Sequence, residues 1–209
     1  MLLLLAVAVP TFAQNDIIVH YSGYGLETGD FTWSNPGDEL VLITEVTSMV
    51  GPLGLPYTPG SFEYTLVVTG FASNGEIDMG GFSTIVYNLG FFEIYEDASF
   101  NADWNEFPTI DNPPSTFFDG DLWLSGDFYE FGMVLFRDLG LGSYEGSMNL
   151  TGGSAIGWFE EQAYLFGGNL IPPHNPGIPP GYDMSLDGEV WGVYTATEGS
   201  SLSKIKALY

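Results

Sequence analysis

Cysteine is absent from the 209 residues, which excludes disulfides, thiol catalysis and Cys-ligated zinc together. Basic residues are nearly absent as well: three stand against 27 acidic ones, for a formal net charge of −24. Two of the three, Lys204 and Lys206, lie at the end of the chain, so 14–203 carries Arg137 as its one permanent cation. Nothing here can neutralise a run of phosphates, and nucleic acid and anionic membranes are excluded as partners. The acidic excess favours cations, salty surroundings or a basic partner. Cation binding and adaptation to high salt account for it equally well.

Catalytic patterns are missing too. The only histidines are His20 and His174, and no Gly-x-Ser-x-Gly elbow or His-Glu-x-x-His metal motif accompanies them. Arg137 alone cannot build a nucleotide cradle, and no glycine-rich loop is followed by lysine. A glycosidase needs only two carboxylates about 5–9.5 Å apart, but acid abundance says nothing about that geometry. The expectation is a non-enzymatic protein.

The start of the chain is an apolar run over residues 2–9, then Pro10 and a small-residue ending at Ala13. This matches the hydrophobic region and cleavage site of a secretory signal over 1–13, although no basic residue precedes it. The run is too short to cross a hydrocarbon core of roughly 30 Å, so no membrane span is expected after cleavage. The mature chain is read as secreted or held at the cell surface.

Helical periodicity is scarce, whereas short alternating runs bounded by Gly, Pro, Asn and Asp recur along 14–197. That pattern predicts a single all-β domain: an antiparallel β-sandwich, jelly-roll-like or Ig-like, of about nine or ten strands with at most one or two short helices. Strands are expected at 16–21, 39–49, 62–71, 82–88, 91–95, 121–125, 128–138, 144–151 and 190–196. Residues 22–25 read as a loop, Asn35-Pro36-Gly37-Asp38 as a turn, and Asn74-Gly75 as a hairpin turn suited to type I′ geometry. A short helix is expected within 158–166, and 198–209 reads as a tail with a short terminal helix. The strand at 39–49 is apolar on both faces, so something must cover each of them.

The oxygen-rich connection between 90 and 127 holds the first metal candidate. Asp97, Ser99, Asn101 and Asp103 stand at every second position, copying the first four ligand positions of a calcium loop. Ala102 occupies the place of the turn glycine and Pro108 that of the bidentate acid, so the loop is incomplete. Asp183, Ser185 and Asp187, followed by Gly188, form a second partial set, and Asp119 and Asp121 lie close by in sequence. Ca²⁺ is the expected cofactor if there is one. Polar turns in an acidic chain account for the same residues.

Five tryptophans are spread along the chain. Trp123 and Trp191 sit in apolar strands and are expected in the core. Trp104, in the acidic loop, and Trp33 are candidates for exposed rings that stack on a sugar. The leading reading is a structural or adhesive module, with self-assembly or an extracellular glycan or protein partner as its expected mode of action. A carbohydrate-binding module is the main alternative, and a carbohydrate-active hydrolase comes third.

Overall fold

The computed structural model describes residues 17–29, 31–51, 55–160, 163–172 and 177–192. The signal segment 1–13, His174 and the tail 198–209 lie outside the described residues. Nine strands are present: β1 (Ile17–Glu27), β2 (Glu39–Met49), β3 (Glu63–Asp78), β4 (Ser83–Asn88), β5 (Gly90–Asp97), β6 (Asp121–Phe136), β7 (Leu141–Gly152), β8 (Ala163–Ile171) and β9 (Met184–Gly192). Among the described residues three single-turn 3₁₀ helices interrupt them, at Ser115–Phe117, Arg137–Leu139 and Ile156–Trp158.

The strands close into an antiparallel barrel, not a sandwich. Going round, β1, β2, β3, β5, β6, β7, β8 and β9 pair in turn, and β9 returns to β1 through matches such as Tyr21 with Gly188. The ninth strand, β4, continues the line of β5. It fills the slot between the far halves of β3 and β6, from Ala72–Asn88 to Asp78–Ser83 on one side and from Tyr87–Phe131 to Ser83–Leu135 on the other. Leu89, at φ +40°, breaks the line between β4 and β5. Alternation and turn spacing are common to sandwiches and up-and-down barrels; only the β1–β9 closure separates them, and it joins residues from opposite ends of the chain. Closure leaves no free edge along those strands.

An eight-stranded barrel is just wide enough for side chains to fill it, and here aromatics do so. Trp123, Tyr21, Tyr164, Phe71, Phe92, Phe131 and Phe166 are all fully buried. Phe71 stacks on Phe131 with centroids 4.2 Å apart, and Tyr21 lies nearly parallel to Phe166 at 4.8 Å. Gly188 makes room for this cluster, since a Cβ there would collide with the Tyr144 and Tyr21 hydroxyls and the Gly167 carbonyl. The outer faces of β7 and β9 are largely polar.

The second apolar face of β2 is also accounted for. Val41 and Ile43 point outward with Leu26 and Val67, and the long connection 98–120 folds over them. Phe117, Trp104 and Ile110 from that connection, together with Tyr182, form a satellite cluster on the outer wall. Thr65 Oγ1 donates to the Phe117 carbonyl at 2.9 Å and pins the connection to the wall.

Several local expectations are corrected. Residues 22–25 belong to β1, whose glycines permit close approach to β2 and β9. Asn74-Gly75 lies inside β3 as a bulge with Gly75 at φ +98°; the hairpin turn is at 78–83, where Met79 N–H donates to the Phe82 carbonyl at 2.8 Å. The runs expected at 121–125 and 128–138 are one strand, β6, bulged between Phe128 and Glu130. The helix expected within 158–166 is replaced by the turn Ile156–Trp158 and then β8, because Tyr164 and Phe166 alternate into the core. Trp191 is half-buried, while Trp123 is a core residue.

Candidate binding site at the barrel rim

The candidate site lies at the rim where β1, β3, β6 and β8 end and β2, β4, β7 and β9 begin. The connection from β1 to β2 folds back there as a plug, with Phe31 and Ser34 fully buried. Two carboxylates meet beneath it. Ser34 joins them, its Oγ donating to Glu27 Oε1 at 2.6 Å and its N–H to Glu76 Oε2 at 3.2 Å.

Glu76 is held ionised by Arg137. Nε donates to Oε1 at 2.7 Å, Nη2 to Oε2 at 2.5 Å, and Nη1 to the Phe31 carbonyl at 2.8 Å. The guanidinium also lies 5.2 Å from the Phe31 ring centre. Burial works against the charged carboxylate, but the hydrogen bonds from Arg137, Ser83 and Ser34 and the guanidinium charge outweigh it and hold the carboxyl below its ordinary range. The one cation of the barrel is therefore committed to the fold.

Glu27 has no such partner. Burial pushes its carboxyl up to about 7, hydrogen bonds from Ser34 and Tyr87 oppose the shift, and the nearby charges of Asp38 and Asp183 add to it. Its Oε1 also accepts from the Tyr87 hydroxyl at 3.1 Å, while Oε2 is buried with no partner among the described residues.

Two rim pockets flank the plug. One, of about 360 Å³, is lined by Trp33, Phe82, Asp78 and Asp138, with Glu76 and Arg137 among its walls. Trp33 is 46% exposed there, and Phe82 packs against Phe136 at 6.0 Å. The other, of about 550 Å³, is lined by Leu26, Glu27, Phe107, Pro108, Ile110, Tyr182 and Asp183 among others. The Tyr182 hydroxyl is buried without a partner among the described residues, and burial, first, with Glu106, Tyr24 and Asp103 nearby, pushes it up to about 12.

The sequence-predicted ligands are dispersed. Asp97 Oδ1 accepts the Ser99 N–H at 2.9 Å, closing a turn at the end of β5, and Asn101 Nδ2 donates to Asp119 Oδ2 at 3.0 Å. Asp103 Oδ1 accepts from the N–H and the side chain of Asn105 at 2.9 and 2.8 Å. These bonds shape the connection. Asp97 Oδ2 is buried with no partner among the described residues, but one oxygen falls well short of the six to eight that Ca²⁺ takes. Asp121 opens β6 opposite Glu96.

Asp183 Oδ2 accepts the Glu27 N–H at 2.7 Å, while Ser185 and Asp187 stand in the extended β9 opposite Tyr24 and Ser22. Alternate residues of a strand are roughly 6.6 Å apart, too far to wrap one ion by themselves. Among the described residues, no three His, Asp or Glu side chains are grouped to hold a metal.

Trp104 is not an open ring. It is half-buried against Tyr24, Phe117 and Tyr182, and its Nε1 donates to Glu45 Oε1 at 2.8 Å. A shallow hollow of about 250 Å³ brings it beside Ser185. Trp33 is the exposed tryptophan that lines a pocket. The sequence reading missed Glu27, Glu76 and Tyr182; the only signal was Arg137, since a lone cation in an acidic domain must have a buried acid to serve. His20, on the outer face, pairs with Glu189 at 3.2 Å. Compared with family models, curated proteins and solved structures, the chain matches none.

Proposed function

We propose that this is an exported, non-catalytic β-barrel module that binds carbohydrate at the Trp33 pocket and thereby serves an adhesive role. The observation that carries the reading is a half-exposed indole beside a pocket whose polar walls are already fixed. A sugar ring has an apolar C–H face that an indole can cover and hydroxyls that need acceptors and donors. Asp78 and Asp138 supply acceptors beside the ring, and Arg137, held by Glu76, supplies a donor surface that needs no reordering. The non-catalytic part rests on Glu76: bonded to Arg137 with its side chain fully buried, it is not placed to trade protons with a substrate.

A glycan array read with the wild type and with Trp33→Ala tests this. Binding to a defined set of glycans that the variant loses by about tenfold or more, the size of a lost aromatic contact, is expected. An array without hits, or with hits unchanged in Trp33→Ala, would overturn it.

Self-assembly is a second reading, favoured by one patch. Met79, Phe82, Phe136, Leu139 and Leu141 are all exposed on the adjoining β3–β4 and β6–β7 turns. Concentration-dependent sedimentation that Phe82→Ser abolishes would support it, and a monomer at every concentration and salt level would remove it.

A further inference from the structure

We infer that the larger rim pocket, between the 105–112 turn of the long connection and the 177–183 approach to β9, is a site for a small organic cation: a primary ammonium on a short apolar body. It is separate from the Trp33 pocket and does not depend on how that pocket is read. Two of its lining residues, from separate elements, each carry a buried polar atom without a partner among the described residues. Glu27, at the end of β1, is 4% exposed and Tyr182, before β9, is 7% exposed, and neither Glu27 Oε2 nor the Tyr182 hydroxyl has a partner among the described residues. A buried acceptor without a donor is costly, and two around one cavity of about 550 Å³ mark the place where a donor belongs. That volume is within the usual range for a small-molecule site.

The sign of the ligand follows from the surroundings. Asp38 and Asp183 act on Glu27, and Glu106 and Asp103 on Tyr182, all of one sign. An anion is repelled there and a cation drawn in. The remaining wall decides between a metal and an organic cation. Beside Thr32 and Thr109, Leu26, Phe107, Pro108 and Ile110 make much of the wall apolar, and among the described residues no three His, Asp or Glu side chains are grouped to hold a metal, whereas Ca²⁺ or Mg²⁺ needs oxygens all round. An ammonium carries three donors. One can meet Glu27 Oε2 and another the Tyr182 hydroxyl, while the hydrocarbon body lies along Phe107 and Ile110 and the aromatic faces add cation–π attraction.

Protons compete with such a ligand. Glu27 holds its proton up to about pH 7 because it is buried, faced by Asp38 and Ser34 from the plug, Asp183 before β9 and Tyr87 from β4. The amine must be protonated and Glu27 ionised, so affinity is highest above about pH 7 and falls as pH drops below it.

Titration calorimetry on the full chain with 2-phenylethylamine tests the site. The neutral isostere 2-phenylethanol and the anion 3-phenylpropionate are the controls. At pH 8 the amine should bind at least about tenfold more tightly than the alcohol, the worth of a charge-assisted hydrogen bond, and the anion should not bind. The advantage should shrink at pH 5.5. Glu27→Gln should remove it, Phe107→Ala should weaken all apolar probes several-fold, and Trp33→Ala should leave amine binding unchanged. Phe107 is 65% exposed, so that variant folds even if Glu27→Gln does not, and the pH series on the wild type stands without any variant. No heat at millimolar amine, equal affinity for amine and alcohol, or the same affinity at both pH values would overturn the assignment.

Discussion

Arg137 offers the sharpest test of how the rim is built, through its replacement by methionine. The change keeps the aliphatic length but deletes the guanidinium, leaving the Glu76 carboxylate with only the Ser83 hydroxyl and the Ser34 N–H. The Glu76 side chain is 0% exposed and that of Arg137 26% exposed, so the carboxylate is left with poor access to water. Breaking a buried pair in this way costs about 3–5 kcal/mol, a large share of the roughly 5–15 kcal/mol that holds a domain together.

The cost should depend on pH in a defined direction. In the wild type, Glu76 sits below its ordinary range, so its contribution is present above about pH 4.3, the unfolded value, and is lost as pH falls through the folded one. In Arg137→Met, burial is no longer outweighed and the folded value rises above the unfolded one, so stability is lost as pH increases from about 4. The deficit of the variant relative to the wild type should therefore be largest near neutrality and shrink toward pH 5. Urea unfolding followed by tryptophan fluorescence measures it. Adding Glu76→Gln to Arg137→Met should restore more than half of the loss. A deficit under about 1 kcal/mol, or one that is the same at pH 5 and pH 8, would show that the pair is not the internal anchor described.

Other outcomes follow from the same geometry. Glu27, with a folded value of about 7, favours the fold at low pH and ceases to as pH rises through 7; up to about 3 kcal/mol is at stake, and Glu27→Gln should flatten stability between pH 5 and 8 in urea titrations. Gly188→Ala drives a methyl into the Tyr144 and Tyr21 hydroxyls and should cost about 1–3 kcal/mol, with a lower melting temperature. Leu89, 74% exposed at φ +40°, holds no core contact that needs leucine; Leu89→Gly relieves the left-handed penalty of about 1–2 kcal/mol at the expense of about 0.5–1 kcal/mol of chain freedom, so stability should be unchanged or rise by up to about 1 kcal/mol, whereas the same change at a core strand position would lower it.

Strands were easier to read from the sequence than the way they close. Glu39–Met49 is delimited by a Pro-Gly turn on one side and a Pro-rich stretch on the other, and its two apolar faces correctly demand a cover on each. That the cover is the barrel interior on one face and the 98–120 connection on the other depends on pairings between distant residues, which no local pattern records. Asn74-Gly75 shows the same limit. The dipeptide specifies positive φ, and positive φ serves a bulge as well as a hairpin. The oxygen-rich spacing from Asp97 to Asp103 was also real, but those oxygens answer backbone N–H groups of their own connection. Glu27 and Glu76 carried no signal, because what distinguishes them is burial, and burial is a property of the closed barrel.

The filled interior determines where such a barrel can bind anything. With Phe71, Phe131, Phe166 and Trp123 occupying the axis, recognition is left to the rim and the outer wall. The plug divides the rim in two, and Ser34 is the residue common to both halves: it donates to Glu27 on one side and to Glu76 on the other, and its hydroxyl also lies 2.6 Å from that of Ser73. One carboxylate is neutralised by the only permanent cation among the described residues, so the second must be kept neutral by a proton or met by a cation from elsewhere. A chain with one arginine and two buried glutamates at one rim has no third arrangement that leaves both acids within the fold at neutral pH.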